Sequence, residues 1–79
     1  MFINKTEDNL NNLCGKKVAL LRKNMKISQR ELADKLQIIG LDVDKNAVQR
    51  IEAGKRFVTD IELKKLAAVF NTDVNSLLE

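Results

Sequence analysis

Two tetrapeptides constrain this chain more than anything else in it: Ser28-Gln29-Arg30-Glu31 and Thr59-Asp60-Ile61-Glu62. In each, a hydroxyl is placed to accept the backbone N–H three residues on, and a carboxylate to reach back to the N–H of the hydroxyl residue. Two orphan donors of a starting helix are thereby satisfied together. Apolar residues follow both boxes at helical spacing, Leu32, Ala33 and Leu36 after the first and Leu63, Leu66, Ala67 and Phe70 after the second. Ile27 and Leu32 fit a hydrophobic staple around the first cap. With no proline and no convincing period-two alternation, the chain reads as all-α.

The same logic places three more helices. Leu13, Val18 and Leu21 share one face of an earlier segment that carries Lys16, Lys17, Arg22 and Lys23 elsewhere; it is expected to stop near Asn24–Lys26, with Asn24 as the left-handed residue. Ile38 and Ile39 extend the apolar character of the second helix as far as Gly40, a C′ residue. Asp44 caps a short third helix with Val48 and Ile51 inward, ended by Gly54. Asn71 closes the fourth helix, and Asp73 caps a fifth carrying Val74, Leu77 and Leu78. Residues 1–12 are weakly periodic and rich in asparagine, and read as an N-terminal arm able to fray. The domain proper is expected over residues 13–79.

Seventy-nine residues suffice for one small core. No apolar run approaches the ~20 residues of a membrane span, and MFINKTEDNLNN lacks the order of a signal peptide, so a cytoplasmic location without membrane contact is expected. The absence of histidine removes the commonest zinc ligand and general base, and a single cysteine closes no disulfide within the chain. No catalytic residue, metal site or cofactor is therefore assigned, and no enzyme activity is expected. Cys14 reads as a small buried side chain. Asp42, Asp44, Asp60 and Asp73 read as turn and cap residues, since their spacing does not make a calcium loop. A net charge of +3 permits a polyanionic partner without requiring one.

The third helix carries the functional signal. Lys45 and Gln49 are four residues apart, as are Asn46 and Arg50, so all four project from the side opposite Val48 and Ile51. Lys55 and Arg56 follow at once. Spacing alone leaves a solvated helix face as the plainer reading.

Taken in order, LRKNMKISQRELADKL, DKNAVQRIEAGKR, ELKKLAAVF and DVNSLL resemble the Cro/cI (XRE-type) helix-turn-helix family, over about residues 13–78. The resemblance implies a five-helix, lambda-repressor-like DNA-binding domain whose third helix enters the major groove of double-stranded DNA. It makes Lys45, Asn46, Gln49 and Arg50 the candidate base contacts, and amide and cationic groups of this kind suit adenine and guanine edges. It makes Gln29, Lys55 and Arg56 candidate phosphate contacts, and Arg22 with Glu52 an ion pair that orients the third helix. One departure stands out: residues 37–44, between Leu36 and Lys45, replace the family's tight, glycine-containing turn. This lengthened connection is read as an extra turn of helix ended by Gly40, with Leu41 and Val43 folding back on the core.

The function implied is a sequence-specific transcriptional regulator, a repressor in its simplest form, acting as a homodimer on DNA. A protein–protein interaction module or an antitoxin-like regulator on the same fold is the competing expectation. For Val74, Leu77, Leu78 and the Phe57-Val58 pair, both a two-fold contact and completion of a monomer's core remain open.

Overall fold

The structure is a computed structural model that describes Thr6 and residues 10–79. Most of the expected arm, residues 1–5 and 7–9, lies outside the described residues. Among the described residues five helices follow one another: α1 Gly15–Asn24, α2 Gln29–Ile38, α3 Lys45–Glu52, α4 Asp60–Val69 and α5 Val74–Leu78. The all-α architecture expected from the caps is the one observed. Both capping boxes are complete: Ser28 Oγ accepts from the Glu31 N–H at 3.0 Å while Glu31 Oε1 accepts from the Ser28 N–H at 3.1 Å, and Thr59 with Glu62 repeats the arrangement. Asp44 and Asp73 cap α3 and α5 through single bonds to Ala47 N–H and Ser76 N–H, each 2.8 Å.

Helix ends follow one rule as well. After α1, α2, α3 and α4 the chain turns through a left-handed residue: Lys26, Gly40, Gly54 and Asn71 respectively. At each turn that residue and its successor donate back to carbonyls of the last helical turn, as Gly54 N–H does to Ile51 and Lys55 N–H to Arg50. The left-handed residue after α1 is thus Lys26, not the expected Asn24. The helix includes Asn24 and keeps one further turn-closing bond, from Met25 N–H to Leu21.

The core gathers one stripe from every helix, with Val18, Leu32, Leu36, Val48, Ile51, Leu66 and Leu77 sealed from solvent. Each such side chain contributes about 1.5–3 kcal/mol relative to exposure. Two expected core positions are corrected. Leu13 is 66% exposed because α1 starts at Gly15, and Cys14 turns into the core in its place. Ile38 is 83% exposed, since the last turn of α2 runs past the edge of the core. Val43 is buried and Leu41 half-buried beyond Gly40, so the lengthened connection does fold back on the core.

The last two residues assigned to the arm are tied to the end of α3 and the loop after it. Asn11 N–H donates to Gly54 O at 2.8 Å, and the Asn12 amide donates to Ile51 O at 3.1 Å and Arg56 O at 2.7 Å. Asn12 Oδ1 accepts from Gly15 N–H at 2.9 Å and so caps α1 from two residues before Cys14. The approach of α1 to α3 here leaves room only for glycine: a Cβ on Gly15 would run into the Ile51 carbonyl oxygen and stand 2.9 Å from Asn12 Oδ1. Gly15→Ala is therefore expected to destabilise the fold by about 3 kcal/mol, lowering the thermal midpoint by more than ~10 °C by circular dichroism. An unchanged midpoint would show that α1 can step away from α3 at little cost.

Candidate nucleic-acid interface

An eight-residue helix has little stability of its own, so α3 takes its form from what holds it. Val48 and Ile51 anchor its inner side. Lys45, Asn46, Gln49 and Arg50 stand exposed on the opposite side, with Ala53 and Lys55 continuing the surface past its end. Asn46, Gln49, Arg50, Ala53 and Lys55 together line one shallow open depression. Amide groups that donate and accept, and cationic groups that only donate, are thus collected on one exposed face.

The rear of α3 is locked by a carboxylate shared among three elements. Glu52 Oε2 accepts from Arg22 Nε at 2.7 Å, and Glu52 Oε1 accepts from Arg22 Nη2 and Gln29 Nε2, each at 3.1 Å. Arg22 Nη1 also donates to Ile27 O at 2.8 Å, on the approach to α2. Only 13% of the Arg22 side chain and 8% of Glu52 reach solvent. The bonds Arg22 donates to Glu52 raise its pKa above the ordinary value, against the opposing effect of burial, so this group is a permanent cation. The start of α2 and the end of α3 are consequently fixed to α1 through one point.

The other sequence-assigned cations divide. Lys55 is exposed beside the depression. Arg56 is turned partly inward, its Nη1 donating to Glu62 Oε2 at 2.7 Å and more weakly to Phe57 O at 3.4 Å. Gln29 lies at the first position of α2 with its amide on Glu52, and the N–H groups of Gln29 and Arg30 have no acceptor within the helix. Sequence reasoning missed Asn12, which joins α1, α3 and the following loop, and Glu62, read only as a capping-box carboxylate. For Glu62, an arginine six residues upstream of a box glutamate was the available signal. For Asn12 there was none beyond a polar residue shortly before a helix.

The class these features define is the helix-turn-helix DNA-binding domain: two helices locked at a fixed angle, the second offering its polar side outward. A family model described as helix-turn-helix matches residues 18–77, and the chain belongs to that family, in its Cro/cI-like (XRE-type) branch. No curated protein and no solved structure gives a significant match. Among the described residues, no helix is long and apolar enough to cross a membrane.

Glu52→Ala leaves the covered Arg22 without its partner and is expected to cost about 3 kcal/mol of stability, measurable by urea unfolding. A loss below ~1 kcal/mol would mean that water replaces the carboxylate freely. A second expectation concerns acid. Burial alone would raise the Glu62 carboxyl, but the N–H of Thr59, the Arg56 guanidinium and the Thr59 hydroxyl outweigh it and hold the group below its ordinary 4.5. Folding then favours the ionised form, so the stabilisation is complete above about pH 4.5 and is lost as pH falls through the lower folded-state value. Glu62→Gln should flatten that acid limb in a pH series of thermal midpoints; parallel curves would assign the limb to other carboxylates.

Proposed function

We propose that this protein is a sequence-specific transcriptional regulator of the cytoplasm, a repressor in its simplest form, which inserts α3 into the major groove of double-stranded DNA. The family is one of DNA-binding regulators. The single observation that carries the finer reading is the division of α3, with Val48 and Ile51 sealed inside and a continuous row of amide and cationic groups outside. Asn46 and Gln49 suit the paired donor and acceptor of adenine, and Lys45 and Arg50 suit the O6/N7 edge of guanine.

Around that row, Lys55 holds phosphate on one flank and the N-terminus of α2 on the other. There the unpartnered N–H groups and the positive end of the helix dipole favour an anion. Gln29 adds the remaining N–H of its amide. Arg56 contributes through the nitrogens that Glu62 leaves unused. Two copies on a pseudo-palindromic operator would place their α3 helices about one DNA turn, ~34 Å, apart. Occlusion of the promoter then suffices for repression.

The test is selection from a random duplex pool, followed by fluorescence anisotropy on the selected site. Asn46→Ala and Arg50→Ala are each expected to weaken binding by about 5- to 150-fold while relaxing preference at one base pair, with the thermal midpoint nearly unchanged. Lys55→Ala should weaken all sequences alike and lower the salt slope by about one ion. A pool with no enriched sequence, or affinity indifferent to salt, overturns the proposal.

A further inference from the structure

Residues 55–59, between α3 and α4, carry no helix or strand, so nothing repetitive holds the backbone on which Lys55 sits. What holds it is Asn11. The main-chain N–H of Asn11 donates to Gly54 O at 2.8 Å, and its side-chain Nδ2 donates to Lys55 O at 2.9 Å. Those two carbonyls belong to the peptide planes on either side of the Lys55 Cα. The first plane is tied a second time, through Lys55 N–H to Arg50 O at 2.9 Å. Because a peptide unit is planar and stiff, fixing both planes fixes the backbone dihedrals of Lys55, and with them the direction of its Cα–Cβ bond.

The residues beside Asn11 complete the grip. The Asn12 amide takes Arg56 O, the next carbonyl along, at 2.7 Å. Leu10 lies so close to Gly54 that a Cβ on the glycine would stand 2.8 Å from Leu10 Cδ2. Leu10 is in turn bound to Thr6, whose Oγ1 accepts from Leu10 N–H at 3.0 Å and whose N–H donates to Leu10 O at 2.8 Å. Three consecutive residues ahead of α1 thus hold three consecutive residues beyond α3. Stability alone does not account for Asn11. Its side-chain bond is exposed to solvent, where water could serve the Lys55 carbonyl instead, and its Oδ1 is buried with no partner among the described residues, which is unfavourable. What the side chain gains is a fixed Lys55.

We infer that Asn11 is a positioning residue for DNA binding: it touches no DNA itself and acts by holding Lys55 beside the depression that Lys55 shares with Asn46, Gln49 and Arg50. This role rests on the reading of the chain as a DNA binder and adds how one of its phosphate contacts is prepared. A cation whose backbone is already fixed loses less freedom when a phosphate arrives, so more of the attraction remains as affinity. The contact made by Lys55 and the bond made by Asn11 are therefore coupled, and substituting either one removes much of what the other contributes.

The test is a double-mutant cycle between Asn11 and Lys55 in the full chain, read by fluorescence anisotropy on the selected duplex, beside NMR relaxation of the free protein. Asn11→Ala removes one exposed bond and one buried, unpartnered oxygen together, so its thermal midpoint should stay within a few degrees of wild type. The Arg56 amide, which shares a peptide plane with Lys55 O, should loosen, its order parameter falling from ~0.85 toward ~0.6. Asn11→Ala should weaken binding to all sequences alike by about 3- to 10-fold, the worth of the bond that held the lysine. In a Lys55→Ala background the same substitution should change affinity by less than about 2-fold. An effect of equal size in both backgrounds overturns the inference, because Asn11 would then touch DNA or act through another group. An Arg56 amide as ordered in the variant as in wild type also overturns it, and so does a midpoint lowered by more than ~10 °C, which would make Asn11 a support of the fold. Wild type that binds no duplex refutes the DNA reading, and the role in binding with it, while relaxation still decides whether Asn11 holds Lys55.

Discussion

Geometry in this molecule depends on the carboxylate of Glu52. It ends α3, receives two bonds from Arg22 of α1 and one from Gln29 at the head of α2, and is almost wholly covered. An ion pair so placed adds little net stability over an apolar packing of the same volume. What it supplies is direction, because planar guanidinium and carboxylate groups bond in parallel only over a narrow range of angles. The cap of Asp44 at the front of α3 and the amide of Asn12 on Ile51 O at its rear complete the restraint. A helix of about 12 Å cannot be rigid by itself, so its rigidity is borrowed from three neighbours.

That arrangement explains why a lengthened α2–α3 connection is tolerated. In a short turn the linking residues themselves set the crossing of the two helices. Here Val48, Ile51 and Glu52 set it, and residues 37–44 need only close the gap. They do so at several points: Leu41 N–H returns to Leu36 O at 2.9 Å, Gln37 Nε2 donates to Val43 O at 2.7 Å, and Lys65 Nζ reaches Ile39 O at 2.7 Å. Val43 recovers apolar burial that the exposed Ile38 forgoes. Loop-closure entropy grows only slowly with length, so a few extra residues cost little once their ends are held.

Much of this was legible in the sequence because it is local. A capping box is written within four residues, and the inward placement of Val48 and Ile51 follows from helical spacing alone. The outward placement of Lys45, Asn46, Gln49 and Arg50 follows from the same spacing, although what they touch does not. Illegible features depended on distant partners. Nothing near Asn12 in the chain announces that Ile51 and Arg56 carbonyls wait for its amide. Lys26 adopts a left-handed conformation that its side chain does not favour, because the bonds closing α1 fall two residues later than the asparagine that would suit it. Leu13 and Ile38 fit the apolar pattern of their helices, but a pattern cannot show where the core beneath it ends.

The distribution of cations matters more to a polyanion than the modest net charge. Arg22 is enclosed by Glu52 and Ile27, and Arg56 gives one nitrogen to Glu62, so two of the arginines serve first as internal struts. Lys45, Arg50 and Lys55 form no ion pair among the described residues and stand exposed along and just beyond α3. Acidic groups near that surface are drawn away from it: Glu52 turns toward Arg22, and Asp44 bends back to cap its own helix. The chain thus keeps near-balanced charge overall while leaving uncompensated cations along and just beyond α3. A sequence-wide count of charges conceals that asymmetry, because it arises from which carboxylates the fold has already used.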